Sequence, residues 1–116
     1  MHVHIVLLPC ELIVSVRLAY NDKTTQYAAL KVLPAPASKS IAREIAIHRS
    51  LSHQNIIAFL LATEDNDRIY IMLEYAALGE LFNYITPDTG IDEDLAQVYF
   101  IQLCRGLVAV LDFMLI

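Results

Sequence analysis

Charge is scarce in this 116-residue chain. Asp, Glu, Lys and Arg make up 18% of it, against about 25% in ordinary soluble domains. Eight Lys and Arg face thirteen Asp and Glu, leaving a net charge of −5. The cations are scattered and form no basic stripe, which argues against nucleic acid as a partner. The two cysteines, Cys10 and Cys104, lie far apart with no C-x-x-C spacing, so a zinc site or a disulfide framework is not expected. They read as unpaired thiols of a reducing, intracellular compartment. Pro9 and Glu11 interrupt the Ile-, Val- and Leu-rich stretch over residues 4–18, well short of the ~18–20 apolar residues of a membrane span. That stretch also lacks the basic region and small-residue cleavage site of a signal peptide. His2 and His4 have no further ligands beside them and read as part of a frayed terminus, not a metal site. Glycine is rare as well: there are three, none before Gly79.

Apolar residues are in excess. They form 57% of the chain, with a mean hydropathy of +0.51, where ordinary domains hold about 45–50%. A chain of this length is one domain at most, or a piece of one. Its apolar surface is expected to pack against something else or to touch a membrane.

Along the chain, residues 12–19 alternate as a β-strand with Ser15 and Arg17 facing outward. Residues 21–23 (Asn-Asp-Lys) form a turn, and residues 27–33 form a second strand that closes a hairpin. Pro34 and Pro36 break regular structure. Ser38 or Ser40 then caps a helix over residues 40–51. A polar loop, residues 52–55, leads to strand 56–62, an acidic turn at 64–67 and strand 68–74, a second hairpin. A short helix is expected over residues 80–85. A long one starts at Asp92-Glu93-Asp94, where the helix dipole favours acid. Val98, Phe100, Leu103, Leu107 and Leu111 are among the residues that circle this last helix almost completely, as in a helix built for burial. Gln97, Gln102 and Arg105 weaken a membrane reading of it.

One charge stands out. At about 100° per residue, Ile41, Ile45, Ile47, His48 and Leu51 share a broad helix face, and Glu44 projects from its middle. A carboxylate aimed at a core needs a cation, because an unpaired buried charge costs several kcal/mol. Lys31, in the apolar run 27–33, is the cation on offer.

A strand lysine meeting a helix glutamate is the ion pair of protein kinases, and from about residue 15 to 111 the chain resembles that family. Ala28-Ala29-Leu30-Lys31 looks like its V-A-I-K strand, and Arg43-Glu44-Ile45 like the helix segment carrying the partner glutamate. His53-Gln54-Asn55-Ile56 resembles the H-x-N-I turn after that helix. Leu73-Glu74-Tyr75-Ala76 looks like gatekeeper and hinge. Gly79-Glu80-Leu81-Phe82 is similar to the G-E-L-F of the DNA-damage checkpoint serine/threonine kinases. The resemblance implies an α+β fold: an antiparallel sheet with one helix over residues 15–78, then the first helices of a second lobe over 79–116. It implies ATP as cofactor, with Lys31 at the phosphates, Glu44 orienting it, and Val16 and Ala29 over the adenine. Leu73 would set pocket depth, open backbone groups of Glu74 and Ala76 would meet the adenine edge, and Glu80 would reach the ribose. It also implies a protein substrate, Mg in a longer protein, and a nuclear or cytoplasmic location.

The pattern breaks in three places. Residues 9–14 (Pro-Cys-Glu-Leu-Ile-Val) stand where the family has a glycine-rich loop, so the backbone cannot close over phosphates there. Residues 1–14 thus read as foreign to the fold. The H-R-D and D-F-G motifs are missing, and Asp112-Phe113 is not followed by glycine. Lastly, residues 110–114 depart from the family's approach to its catalytic loop. The chain is therefore read as a kinase fragment, inactive alone. A competing reading is a non-enzymatic fragment whose helix 92–111 is covered by a protein partner. A third is a small membrane-associated protein.

Overall fold

The structure, a computed structural model, describes the backbone of residues 3–6 and all of residues 15–115. The elements run β1 (Val3–Val6), β2 (Ser15–Asn21), β3 (Gln26–Pro34), α1 (Lys39–Ser50), β4 (Phe59–Glu64), β5 (Arg68–Glu74), a short 3-10 helix (Leu81–Tyr84) and α2 (Glu93–Met114). The strands form one antiparallel sheet in the order β1-β2-β3-β5-β4. Two hairpins, β2–β3 and β4–β5, supply most of it, as the turn residues predict. Asn21 sets the first turn, its Oδ1 accepting from the amides of Lys23 and Thr24 at 3.0 and 3.3 Å. Tyr20 and Tyr27 pack beside it at a tilt of 48°, ring centres 4.9 Å apart. Ser38 caps α1, its hydroxyl oxygen accepting from the Ile41 amide.

Side chains of a strand alternate between faces, and the sheet builds a core on each. One face buries Ala19, Ala28, Leu30 and Val32 with Tyr70 and Met72 against them. The other buries Leu33, Ile69 and Ile71, and here Ile41 and Ile45 of α1 dock beside Phe59, Ala62 and Leu73. This register corrects the expected direction of β2. Ser15 and Arg17 pair with Val32 and Leu30 and are half-buried with the first core, whereas Val16 is the exposed residue, at 46%. Hydrophobicity misleads here because the second face is only partly roofed by α1.

Other boundaries also differ from expectation. Val3–Val6 is not a frayed end: it pairs with β2, Val3 opposite Asn21 and Val6 opposite Leu18. The readings that fell on His2, Pro9, Cys10, Glu11 and residues 12–14 lie outside the described residues. Strand β4 begins at Phe59 instead of Ile56, because backbone groups just before it are engaged elsewhere. The Ile56 amide closes a turn on the His53 carbonyl, and the Ile57 carbonyl bonds His48. Glu64 belongs to β4, which narrows the turn. The helix expected over residues 80–85 is the shorter 3-10 turn. Gly79, at φ +77, turns the chain into it in a conformation that favours glycine.

That tight turn before β5 is organised by Asp65. Its Oδ1 accepts from the amides of Asp67 and Arg68 at 3.2 and 3.0 Å, and its Oδ2 from the Tyr70 hydroxyl at 3.0 Å. The bonds favour the ionised form, chiefly the one from the Asp67 amide, and hold the carboxyl below its ordinary 3.8. The bond to Asp65 likewise pushes the Tyr70 phenol above its ordinary 10.0. A depressed carboxyl stabilises the fold above the unfolded value and loses that contribution as pH falls through the folded one. For the raised phenol the contribution is full below 10.0 and is lost as pH rises through the folded value. In an acid titration followed by NMR, the Asp67 and Arg68 amides are expected to shift with a midpoint below 3.8. A midpoint at or above that value would contradict the turn.

Asp92 caps α2 by accepting from the Leu95 amide, with Glu93 and Asp94 in the first turn. Gly106 is its one fully buried residue. Phe100 and Leu103 are 64% and 66% exposed. The all-round apolarity seen in the sequence is thus not met by packing among the described residues. By length and composition this helix could cross a bilayer, a test that core helices of soluble proteins also pass.

Candidate functional site

The register of β2, β3 and β5 decides which side chains gather under α1. Lys31 lies opposite Val16 and Ile71, and Ala29 opposite Leu18 and Leu73. Residues paired across antiparallel strands share a face, as do residues two apart along a strand. Val16, Ala29, Lys31 and Leu73 therefore occupy adjacent rows of the face on which α1 docks. Val16 is open, Ala29, Lys31 and Leu73 half-buried.

From α1, Glu44 meets this wall. Its Oε1 accepts from Lys31 Nζ at 3.0 Å. The pair forms as expected, but not for the expected reason. The side chains are 58% and 28% exposed respectively, so the carboxylate is not aimed into the core. Ile41 and Ile45 make the apolar contact, and Glu44 sits on the rim beside them, over the open part of the sheet. A pair this wet is worth no more than about 1 kcal/mol. Its chemical interest is different: an ammonium has three donors, and Glu44 fixes one of them while the group still faces solvent.

Beyond Leu73 the chain leaves β5. The Glu74 amide donates to the Ala58 carbonyl at 2.9 Å, and Glu74 Oε2 accepts from the Ala58 amide at 3.0 Å. The Ala76 carbonyl accepts from the Gly79 amide at 3.1 Å. Two of the backbone groups expected to be open at Glu74 and Ala76 are therefore engaged, because this linker must also finish the β4–β5 pairing and enter the Gly79 turn. The Ala76 amide has no backbone partner among the described residues. Glu80 is exposed at the start of the 3-10 helix, with no capping bond from its side chain.

Glu74 and Ala76 also border a separate groove of about 490 Å³, lined further by Asn55, Ile57, Leu78 and Tyr99. The expected site residues thus fall into two groups, with Glu80 apart from both. Val16, Ala29, Lys31, Leu73 and Glu44 converge on one wall, and Glu74 and Ala76 form its edge and the groove behind. Among the described residues no group of three or more His, Cys, Asp or Glu is placed to hold a metal ion. Cys104 is free and half-buried.

The sequence matches the protein kinase domain family over residues 13–113. It is 40% identical over 103 residues to the serine/threonine-protein kinase chk1 of Schizosaccharomyces pombe, covering 80% of this chain and 21% of that protein. It is 38% identical over 96 residues to the serine/threonine-protein kinase grp of Drosophila melanogaster, covering 79% and 19%. A third relative, the serine/threonine-protein kinase SAPK7 of Oryza sativa subsp. japonica, is 40% identical over 93 residues, covering 78% and 26%. The chain spans about a fifth to a quarter of the length of these relatives.

Proposed function

The chain belongs to the protein kinase domain family, and on that premise we propose that it carries the nucleotide-facing sheet of a serine/threonine kinase of the checkpoint type. The observation that supports this best is the Lys31–Glu44 pair at 3.0 Å. It joins two facing elements at an open wall, where burial does not require it. Lys31 binds the phosphates of ATP as a point charge, and Glu44 holds the ammonium in place. Val16 and Ala29 cover the adenine, Leu73 limits its depth, and the Ala76 amide is the backbone donor at its edge. The half-open ammonium above an apolar wall fits a triphosphate. The described residues do not fit a magnesium site, so no step is assigned to that ion in this chain. Bound ATP supplies the γ-phosphoryl group that a complete kinase transfers to a protein hydroxyl.

This chain alone is not expected to make that transfer, since it contains neither His-Arg-Asp nor Asp-Phe-Gly, the source of the base and metal ligands. Turnover on a serine peptide should equal background, and a signal that disappears in Lys31→Met would overturn that. Binding is the direct test. ATP should bind weakly, and Lys31→Met should lower its affinity about tenfold or more, a charge-assisted hydrogen bond being worth about 1.5–3 kcal/mol. Equal affinities in parent and variant would refute the site. A second reading rests on α2, where Val98, Phe100, Leu103, Leu107 and Leu111 are exposed: the chain acts as an interaction fragment, with a protein partner covering this helix.

A further inference from the structure

Helix α1 is lightly held. It has no fully buried residue, and among the described residues only two side-chain hydrogen bonds leave it for other elements. One is Glu44 to Lys31. The other is His48, whose Nε2 lies 2.7 Å from the carbonyl oxygen of Ile57, in the loop that leads into β4. A carbonyl only accepts, so Nε2 must carry the proton. The His48 ring also meets Phe59 edge-on, with centres 5.6 Å apart, and the Arg49 guanidinium lies 5.4 Å over the Phe59 ring.

Glu44 and His48 are four residues apart, one turn along the same helix face. The two ties therefore act in line. An exposed ion pair contributes too little to hold a helix in place by itself. The bond from the imidazole to a backbone acceptor is the shorter tie, and the Phe59 ring fixes its direction. We propose that His48 is a positioning residue: its Nε2–H latches α1 to the Ile57 carbonyl and thereby keeps Glu44 against Lys31. What that position means for ATP rests on the reading above; the latch itself does not.

The test uses the full chain without nucleotide. Lys31, labelled with ¹⁵N, reports the ion pair through its ammonium signal, assigned by its disappearance in Lys31→Met. His48→Phe keeps a ring against Phe59 but removes the donor. It should abolish the slow-exchanging Lys31 signal, as should Glu44→Gln, and should speed α1 amide exchange about tenfold. β3 and β5 should stay protected. His48→Gln, which restores an amide donor of similar reach, should recover both readouts. The latch is overturned if His48→Phe folds and behaves as the parent, or if His48→Gln is as impaired as His48→Phe. Should His48→Phe fail to fold, the parent decides through the ¹⁵N shifts of its imidazole. A protonated Nε2 supports the latch, and a bare Nε2 with the proton on Nδ1 overturns it. Because no nucleotide enters these readouts, a failure of ATP binding and a failure of the latch are told apart.

Discussion

Ile69→Ala is expected to cost about 2–5 kcal/mol, a large fraction of the about 5–15 kcal/mol that holds a domain folded. Ile69 is 2% exposed and forms, with Leu33 and Ile71, the core onto which α1 docks through Ile41 and Ile45. Removing its outer carbons opens a cavity at the place where sheet and helix meet. Two elements lose packing together, so the damage cannot relax through one flexible loop. Ile69→Val, which keeps the branch point, should cost about 0.5–1.5 kcal/mol. Glu44→Gln should cost less than either, about 1 kcal/mol at most, because the pair is exposed. Urea unfolding of the three variants checks the order. An ion-pair variant as damaging as Ile69→Ala would mean that α1 is held by charge and not by its apolar contact.

The second large effect is expected at Gly106. A Cβ placed there would lie 3.0 Å from the Asn55 carbonyl oxygen and 3.6 Å from the Asn55 Cβ. The neighbour is backbone, in a loop already fixed by the bond from the Asn55 amide to His53 Nδ1 at 3.0 Å, so it has little room to retreat. For Gly106→Ala two effects oppose: relief of about 1 kcal/mol of helix propensity and a tight contact a few tenths of an ångström wide. For Gly106→Val the contact wins, since both γ-carbons must also find space. The expected outcome is overpacking of about 1–3 kcal/mol, and α2 lifting from the loop over residues 53–56. Hydrogen exchange should show the α2 amides losing protection while β3 and β5 keep theirs. Unchanged protection of α2 in Gly106→Val would mean that this close approach does not anchor the helix.

How far the sequence foretold these features depends on how local their causes are. The Lys31–Glu44 pair was legible because strand alternation and helix periodicity each place one charge among apolar neighbours. Its wetness was not, since no pattern along a chain says how far a helix covers a sheet. Ser38 and Asp92 mark helix starts through their own side chains, so α1 and α2 begin where a capping argument puts them. The outward direction expected of Ser15 and Arg17 fails for the opposite reason: which side of β2 is open depends on how far α1 covers the sheet in three dimensions. The late start of β4 has the same origin. Ile56-Ile57-Ala58 is apolar and looks like strand, yet its backbone groups are engaged by His53, His48 and Glu74 from other segments. The pairing of Val3–Val6 with β2 is likewise a long-range event with no local signal. The engaged amide of Glu74 shows the same limit inside the site: a motif locates the linker, but not which of its hydrogen-bonding groups are left over.

In the proposed function, Lys31 and Glu44 are paired to bind a nucleotide and not to brace the fold. The measurement that separates these is ATP affinity in the exchanged double variant, Lys31→Glu with Glu44→Lys, read beside its unfolding midpoint. The exchange keeps one ion pair between β3 and α1 but moves the cation from the wall to the rim. A nucleotide role gives a midpoint close to the parent's and ATP binding reduced about tenfold or more. ATP binding retained in the exchanged chain would contradict it.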